Sequence, residues 1–417
     1  MAVAVADAAA DAGPAPHCTL IATGAPARAP APAPESLDLG VGEELGGAIR
    51  TPKGFAVGML RAVDGGRLAS VARLGPSSVA SLDLGVSFRD APAPQPLVRG
   101  EDLFAVAYVK PGSPPGTAGT IDKIGAHRML AVYRLGDTAE RLLELPTETD
   151  SSFSYDAIAA MEAASPVGAV VAWDADAGTP PHALVQLATL APDLRSVRGV
   201  RSVRRVGEGA DAGDAGDPRL ALRTGGYWLT WIARRPEHPL AALPLPAGEV
   251  ETVSEEATYG WIEAVALDAQ GAPSGEPRRL TSTTGHVGKY AVHSDQGALL
   301  VVAEDDGAAA GRAGGALEQV IWRGRPDEAL DVVHLVRSGV EEDTPPSLVA
   351  GASGDLWLSY LHVSGETFLG ALPQQRGLPT PEPLLGHGRF LGELDGRLGL
   401  ATVDGARWTL RWASCSR

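Results

Sequence analysis

The chain has no asparagine and only four lysines in 417 residues. Without asparagine there is no acceptor for N-glycosylation, and tight turns must come from Asp-Gly, Gly-Gly and Ser-Gly pairs. No run of eighteen apolar residues occurs, so no membrane-spanning helix is expected. Lys and Arg total 35 against 51 Asp and Glu, a net charge of -16. That balance argues against a general nucleic-acid or anionic-membrane binder, both of which need positive surface. G-x-S-x-G, H-E-x-x-H, the Walker loop and the dinucleotide-binding glycine fingerprint are all missing. C-x-x-C is missing too, so structural zinc is not expected. Helical periodicity is weak. Its best instance, Tyr155–Ala164, sits where a repeated unit calls for an inner strand.

What is present is turn-rich and globular: 44% hydrophobic residues with 51 Gly and 33 Pro. The abundance of Ala, Gly, Pro and Arg with so little Lys points to a bacterial genome of high GC content. Residues 1–16 are Ala/Asp/Pro-rich and read as a disordered tether, because they cannot bury enough apolar surface to offset ordering entropy. No charged and apolar signal pattern is legible there. HCTLIATG (His17–Gly24) is a short strand candidate, and residues 25–36 form a Pro-rich connector.

The remaining chain repeats. GYWLTWIAR (Gly226–Arg234) is an apolar run entered through a glycine pair. The same shape returns at Asp102–Lys110, Val167–Asp176, Ala298–Gly307, Asp355–Val363 and Arg397–Gly405. These runs read as one strand position in a sheet unit that recurs every 45–65 residues or so, with up to four strands per unit. Strands apolar on both faces need neighbours on both sides. VALDAQGAPSGEPRRLT (Val265–Thr281) reads as a hydrophobic strand, an Asp-x-x-Gly turn and a short edge strand. In these features the chain resembles bacterial secreted β-propeller repeat proteins, although no WD, kelch or NHL signature is in register. The expected fold is therefore all-β: a propeller over residues 17–417 with seven blades, six being the alternative. Two β-sandwich domains are the competing architecture.

The last unit has three strands, and CTLIATG is a free strand at the other end of the chain. If it completes that blade, Cys18 and Cys415 meet and can form a disulfide, which implies an oxidising compartment. The alternatives are two free thiols, or a lipid on Cys18, whose preceding PAPH is no lipobox.

In a propeller, the second-to-third and fourth-to-first connections share one face. The insertions Lys110–His127 and Arg235–Thr258 fall there, as do polar stretches at the mouth of the central channel. The residues singled out are His286, Lys289, His387, Arg389, Asp150, Asp156, Glu342 and Asp343. A histidine with two carboxylates can do acid–base work or bind metal, but none of these spacings is diagnostic, and ordinary turn residues are the simpler reading. Asp174-Ala-Asp176-Ala-Gly178 has the rhythm of a calcium loop without its later acidic ligand, and reads as a hairpin turn. Asp211, Asp214 and Asp217 read as low-complexity linker. Ser294–Gly297 lacks the rest of an Asp-box turn. The eight tryptophans read as blade packing rather than sugar platforms.

Lacking a catalytic constellation, the chain reads as a non-catalytic, extracytoplasmic propeller that binds or scaffolds through its loop-rich face. A monomer without cofactor or metal is expected, with a protein or glycan partner of unknown identity. The alternative is a glycan-acting hydrolase or lyase with its site at the channel mouth.

Overall fold

The computed structural model describes residues 17–20, 36–42, 44–63, 66–75, 78–87, 91–110, 115, 129–146, 157–160, 167–177, 182–203, 206, 213–236, 258–295, 297–305, 314–341, 344–351, 356–372, 382–383, 388–394, 397–405 and 407–416. Among these, every regular element is a β-strand. Two N-terminal strands come first, β1 (His17–Leu20) and β2 (Ser36–Val41). Blade 1 follows with β3 (Glu44–Thr51), β4 (Gly54–Val63), β5 (Gly66–Leu74) and β6 (Val79–Ser87). Blade 2 has β7 (Gln95–Arg99), β8 (Asp102–Val109), β9 (Met129–Leu135) and β10 (Ala139–Pro146). Blade 3 has β11 (Ala157–Ala160), β12 (Val170–Ala177), β13 (His182–Leu190) and β14 (Val197–Ser202). Blade 4 has β15 (Asp214–Arg223), β16 (Gly226–Pro236), β17 (Thr258–Asp268) and β18 (Arg278–Arg279). Blade 5 has β19 (Val287–Asp295), β20 (Ala298–Asp305), β21 (Gly315–Trp322) and β22 (Asp331–Val340). Blade 6 has β23 (Ser347–Ala350), β24 (Leu356–Leu361), β25 (Thr367–Leu372) and β26 (Glu382–Pro383). Blade 7 has β27 (Gly388–Leu394), β28 (Arg397–Asp404) and β29 (Arg407–Ser416).

Each blade is an antiparallel meander. The first strand of every blade lies beside the first strand of the next, and β27 beside β3 closes the circle. The fold is thus a seven-bladed β-propeller. The repeated apolar runs are all second strands: β8, β12, β16, β20, β24 and β28. Their continuous hydrophobicity has a direct cause. On β16, Tyr227, Leu229, Trp231 and Ala233 pack toward blade 3, while Trp228 and Ile232 pack toward blade 5. On β12, Val171 and Trp173 face blade 2, and Val170 and Ala172 face blade 4. On β20, Leu299, Val301 and Ala303 face blade 4, and Leu300 and Val302 face blade 6. Alternation along the strand therefore serves two seams rather than a core and a solvent face. All eight tryptophans are buried in the blades, as blade packing requires.

β7 has no counterpart among the strand runs read from the sequence. Its five residues include Pro96, which has no N–H to donate, so it carries little strand signal. Asp174 lies within β12 and is buried, so it is not in the expected turn. Asp214 and Asp217 likewise belong to β15 rather than to a linker. The tether at 1–16 and the connector at 25–36 lie outside the described residues, except Ser36, which opens β2.

Ring closure uses two N-terminal segments where one was expected. β2 pairs with residues 407–411 of β29, and β1 pairs with residues 413–416 of the same edge. Leu39 of β2 joins the seam between blades 7 and 1. The Trp408 indole donates to the Gly42 carbonyl at 3.1 Å. Arg407 Nε meets Asp38 Oδ1 at 3.1 Å, and this bond holds the Asp38 carboxyl below its usual value. Cys18 stands opposite Cys415 in the β1–β29 register. Residues directly opposed on antiparallel strands have Cα atoms about 4.5–5.5 Å apart, within reach of a disulfide. Protein made under oxidising conditions should therefore show a denatured, non-reduced mass about 2 Da below its reduced mass, the two hydrogens lost on S–S formation. Replacing both cysteines by serine should cost about 2–4 kcal/mol by thermal unfolding. Equal masses would mean that the strands close the ring without a covalent bond.

Candidate functional site

In an antiparallel meander the first strand begins where the second ends. Asp214, at the start of β15, pairs with Arg234 near the end of β16. The starts of the seven first strands, the second-to-third connections and the fourth-to-first connections therefore share one face. The strand ends that flank the two long insertions, at Val109 and Met129 and at Pro236 and Thr258, lie on it; the insertions themselves fall almost entirely outside the described residues. Charged residues at these strand starts converge on the channel mouth from separate blades: Glu44 opens β3, Lys289 is third in β19, Arg389 is second in β27, and Asp217 and Arg219 lie in β15.

Glu44 is the centre of this group. Its side chain reaches solvent, yet enough protein lies around it to disfavour the charged form. Removal from bulk water pushes its carboxyl above the ordinary value. A hydrogen bond from the Ala93 N–H at 3.3 Å, and the charges of Arg389, Arg67 and Lys289, pull it part of the way back. Among the described residues this is the one hydrogen bond it makes. Arg389 is half-exposed and enclosed like Glu44, and it donates Nη1 to the Leu45 carbonyl at 2.6 Å. Desolvation lowers its pKa first; Glu44 raises it and the like charge of Arg219 lowers it. Lys289 makes no hydrogen bond or ion pair among the described residues.

Arg219 is held more firmly. Its guanidinium lies 2.6 Å from Asp217 and 5.6 Å over the Tyr290 ring. The Tyr290 hydroxyl donates to the Asp217 carbonyl at 2.6 Å and accepts from Thr230 at 3.1 Å. Asp217 has φ 51, the left-handed region that few residues other than glycine adopt, at a register shift between Gly216 and Arg219. This bulge turns the first strand of blade 4 just where it faces the channel.

Of the residues singled out in the sequence, Lys289 and Arg389 come together around Glu44. His286 lies apart, at the seam of blades 4 and 5. Its backbone N–H donates to Asp305 Oδ1 at 3.0 Å, and its ring lies 5.5 Å from that of Tyr259. His387, Asp150, Asp156, Glu342 and Asp343 lie outside the described residues. The described residues contain no group of three His, Cys, Asp or Glu side chains arranged to hold a metal. Glu44, Arg67 and Arg219 went unnoticed in the sequence, and Asp217 was read as linker. For Glu44 the available signal was a charge at the first position of a first strand.

No protein-family model matches the chain, and no curated protein matches it. Solved structures do superpose on it. A point mutant of the α-L-arabinofuranosidase Arb93A from Fusarium graminearum, in complex with an iminosugar inhibitor, aligns with a TM-score of 0.51 at 12% identity, over 92% of this chain and 98% of that one. The polysaccharide lyase Uly1 aligns with a TM-score of 0.51 at 10% identity, over 93% and 91%. Such low identities establish a shared propeller fold. The expectation of a non-catalytic scaffold is corrected by these neighbours, both of which are enzymes that act on glycans. The physical reason it failed is that the channel mouth is assembled from blades far apart in sequence, so no local motif announced an acidic group among cations.

The electrostatics can be measured directly. The Glu44 carboxyl, followed by NMR in glutamate-labelled protein, should titrate above the ordinary 4.5. Lys289→Gln should move it further up, because a cation that favours the charged form is gone. A value at or below 4.5, or a downward move in the variant, contradicts this description.

Proposed function

We propose that the chain is a glycan-acting enzyme that breaks glycosidic bonds at the mouth of its central channel. The observation that carries this reading is Glu44, a solvent-reachable carboxyl held above its ordinary pKa in an enclosed site. A group so tuned keeps its proton at a pH where free carboxyls have lost theirs, and can hand it over. Breaking a glycosidic C–O bond leaves charge on the departing oxygen, and the Glu44 proton neutralises it. Hydrolysis and elimination share this need. They differ in whether water adds at the sugar carbon or a ring proton leaves to form a double bond. The solved propellers that align with the chain, an α-L-arabinofuranosidase and a polysaccharide lyase, represent both outcomes.

Arg389 and Lys289 would place the substrate, since both stand at the mouth with donors to spare. The bulge at Asp217 and the brace of Arg219, Tyr290 and Thr230 would hold the opposite wall. We also propose that the protein works outside the cytoplasm, a reading supported by the opposition of Cys18 and Cys415 across the closing strands.

Glu44→Gln tests the reading. Turnover of a cleaved polysaccharide, followed by new reducing ends and by absorbance of unsaturated products, should fall about 10²–10⁴-fold with substrate affinity retained. In the wild type, the rate should fall as pH rises through the raised Glu44 value, because the proton needed for the leaving oxygen is then lost. Unchanged turnover in Glu44→Gln removes Glu44 from the chemistry. Failure to cleave any of a panel of arabinans, pectins and uronans removes the enzyme reading itself.

A further inference from the structure

The channel mouth carries a charge pattern opposite to that of the whole protein. The chain has a net charge of -16, yet Arg389, Lys289 and Arg67 act on one carboxyl from blades 7, 5 and 1, and Arg219 of blade 4 acts on Arg389. Arg219 already has Asp217 as its ion-pair partner. Arg389 and Lys289 do not resemble it: no ion pair involves either of them among the described residues. The Arg389 guanidinium has five N–H donors and spends one on the Leu45 carbonyl, which fixes its position without neutralising it. Arg389 and Lys289 both act on the same Glu44 carboxyl, and a partly desolvated cation with no ion-pair partner is costly unless an anion arrives to offset it.

Glu263, elsewhere in blade 4, shows how this protein treats a charge that is purely structural. That carboxylate is fully buried and receives the indole N–H groups of Trp231 at 3.2 Å and Trp261 at 2.9 Å, as well as the Val206 N–H at 3.1 Å. Arg279 stands 3.6 Å away. Among the described residues nothing comparable is built around Arg389 and Lys289.

We infer that the sugar residue bound at the channel mouth is anionic, its carboxylate or sulfate taken by Arg389 and Lys289 beside Glu44. This inference rests on the glycan-acting reading above and names its substrate class. The planar fork of Arg389 suits a uronate carboxylate, which it can hold through two parallel bonds, and the point charge of Lys289 suits either anion. Neutral pentose or hexose chains would leave the two cations with only the Glu44 carboxyl to answer them.

Calorimetric titration of Glu44→Gln protein separates the possibilities, since on the reading above that variant should bind without turning over. The probes are tetragalacturonate, a sulfated carrageenan tetrasaccharide and neutral galactotetraose. One or both anionic probes should bind at least about tenfold more tightly than the neutral one, the scale of one charge-assisted hydrogen bond. Affinity should fall as salt is added. Adding Arg389→Gln, or separately Lys289→Gln, should remove about tenfold or more, with the thermal transition intact in at least one of the two. Arg323→Gln, which removes an exposed cation on blade 5 that pairs with Glu328, should change nothing. A preference for galacturonate or for the sulfated probe identifies the source of the anion, and either supports the inference. Equal binding of the neutral probe, or anionic binding untouched by both substitutions, overturns the anionic substrate and leaves the glycan reading standing. Binding of none of the three by folded protein overturns both.

Discussion

The structure depends on one packing constraint: every second strand must bury both of its faces. Seven apolar seams satisfy it, one between each pair of neighbouring blades. No blade owns a core of its own, so each is stable only between two others. A linear stack would leave two blades with an open apolar face. Closing the ring removes both, and it is the N-terminal strands on β29 that hold the seventh seam shut. Leu39 supplies apolar surface there, and the Trp408 indole is satisfied by the chain leaving β2.

Closure has a consequence for chemistry. A closed ring sends the starts of seven first strands to one opening, where residues distant in sequence become neighbours. Arg389 and Leu45 are 344 positions apart and share a hydrogen bond. The rigid seams behind these strands hold the group in place, so charges can be kept close without collapsing onto one another. Glu44 and Glu263 show two uses of one residue type. Both have their carboxyls pushed up by burial. Glu263 is sealed away and surrounded by donors, whereas Glu44 has one donor, three nearby cations and a path to water.

The strand order of the blades was legible in the sequence because two-sided burial leaves a strong mark. GYWLTWIAR and its relatives read as one repeated strand position, which the fold makes the second, and a missing last strand predicted the N-terminal closure. β7 was not legible, since five residues with a proline carry little pattern. That two segments rather than one would share the β29 edge was also hidden, because nothing in SLDLGV distinguishes an edge strand from a loop. The site was less legible still. Lys289 and Arg389 could be placed near the mouth from their positions before apolar runs. Glu44 could not be distinguished from other surface acids, because what sets it apart is its enclosure by blades elsewhere in the chain. Asp217 looked like linker because Gly-Asp-Pro reads as a turn, and the backbone does turn there, inside a strand.

The most direct test of a glycan site at the channel mouth is a crystal structure of the Glu44→Gln protein soaked with a tetrasaccharide it binds. The account predicts sugar density at the mouth, with a glycosidic oxygen within about 3 Å of residue 44 and an acidic substituent on Arg389 or Lys289. Density on the outer edge of a blade or at the opposite end of the channel, with the mouth holding only water, would contradict it.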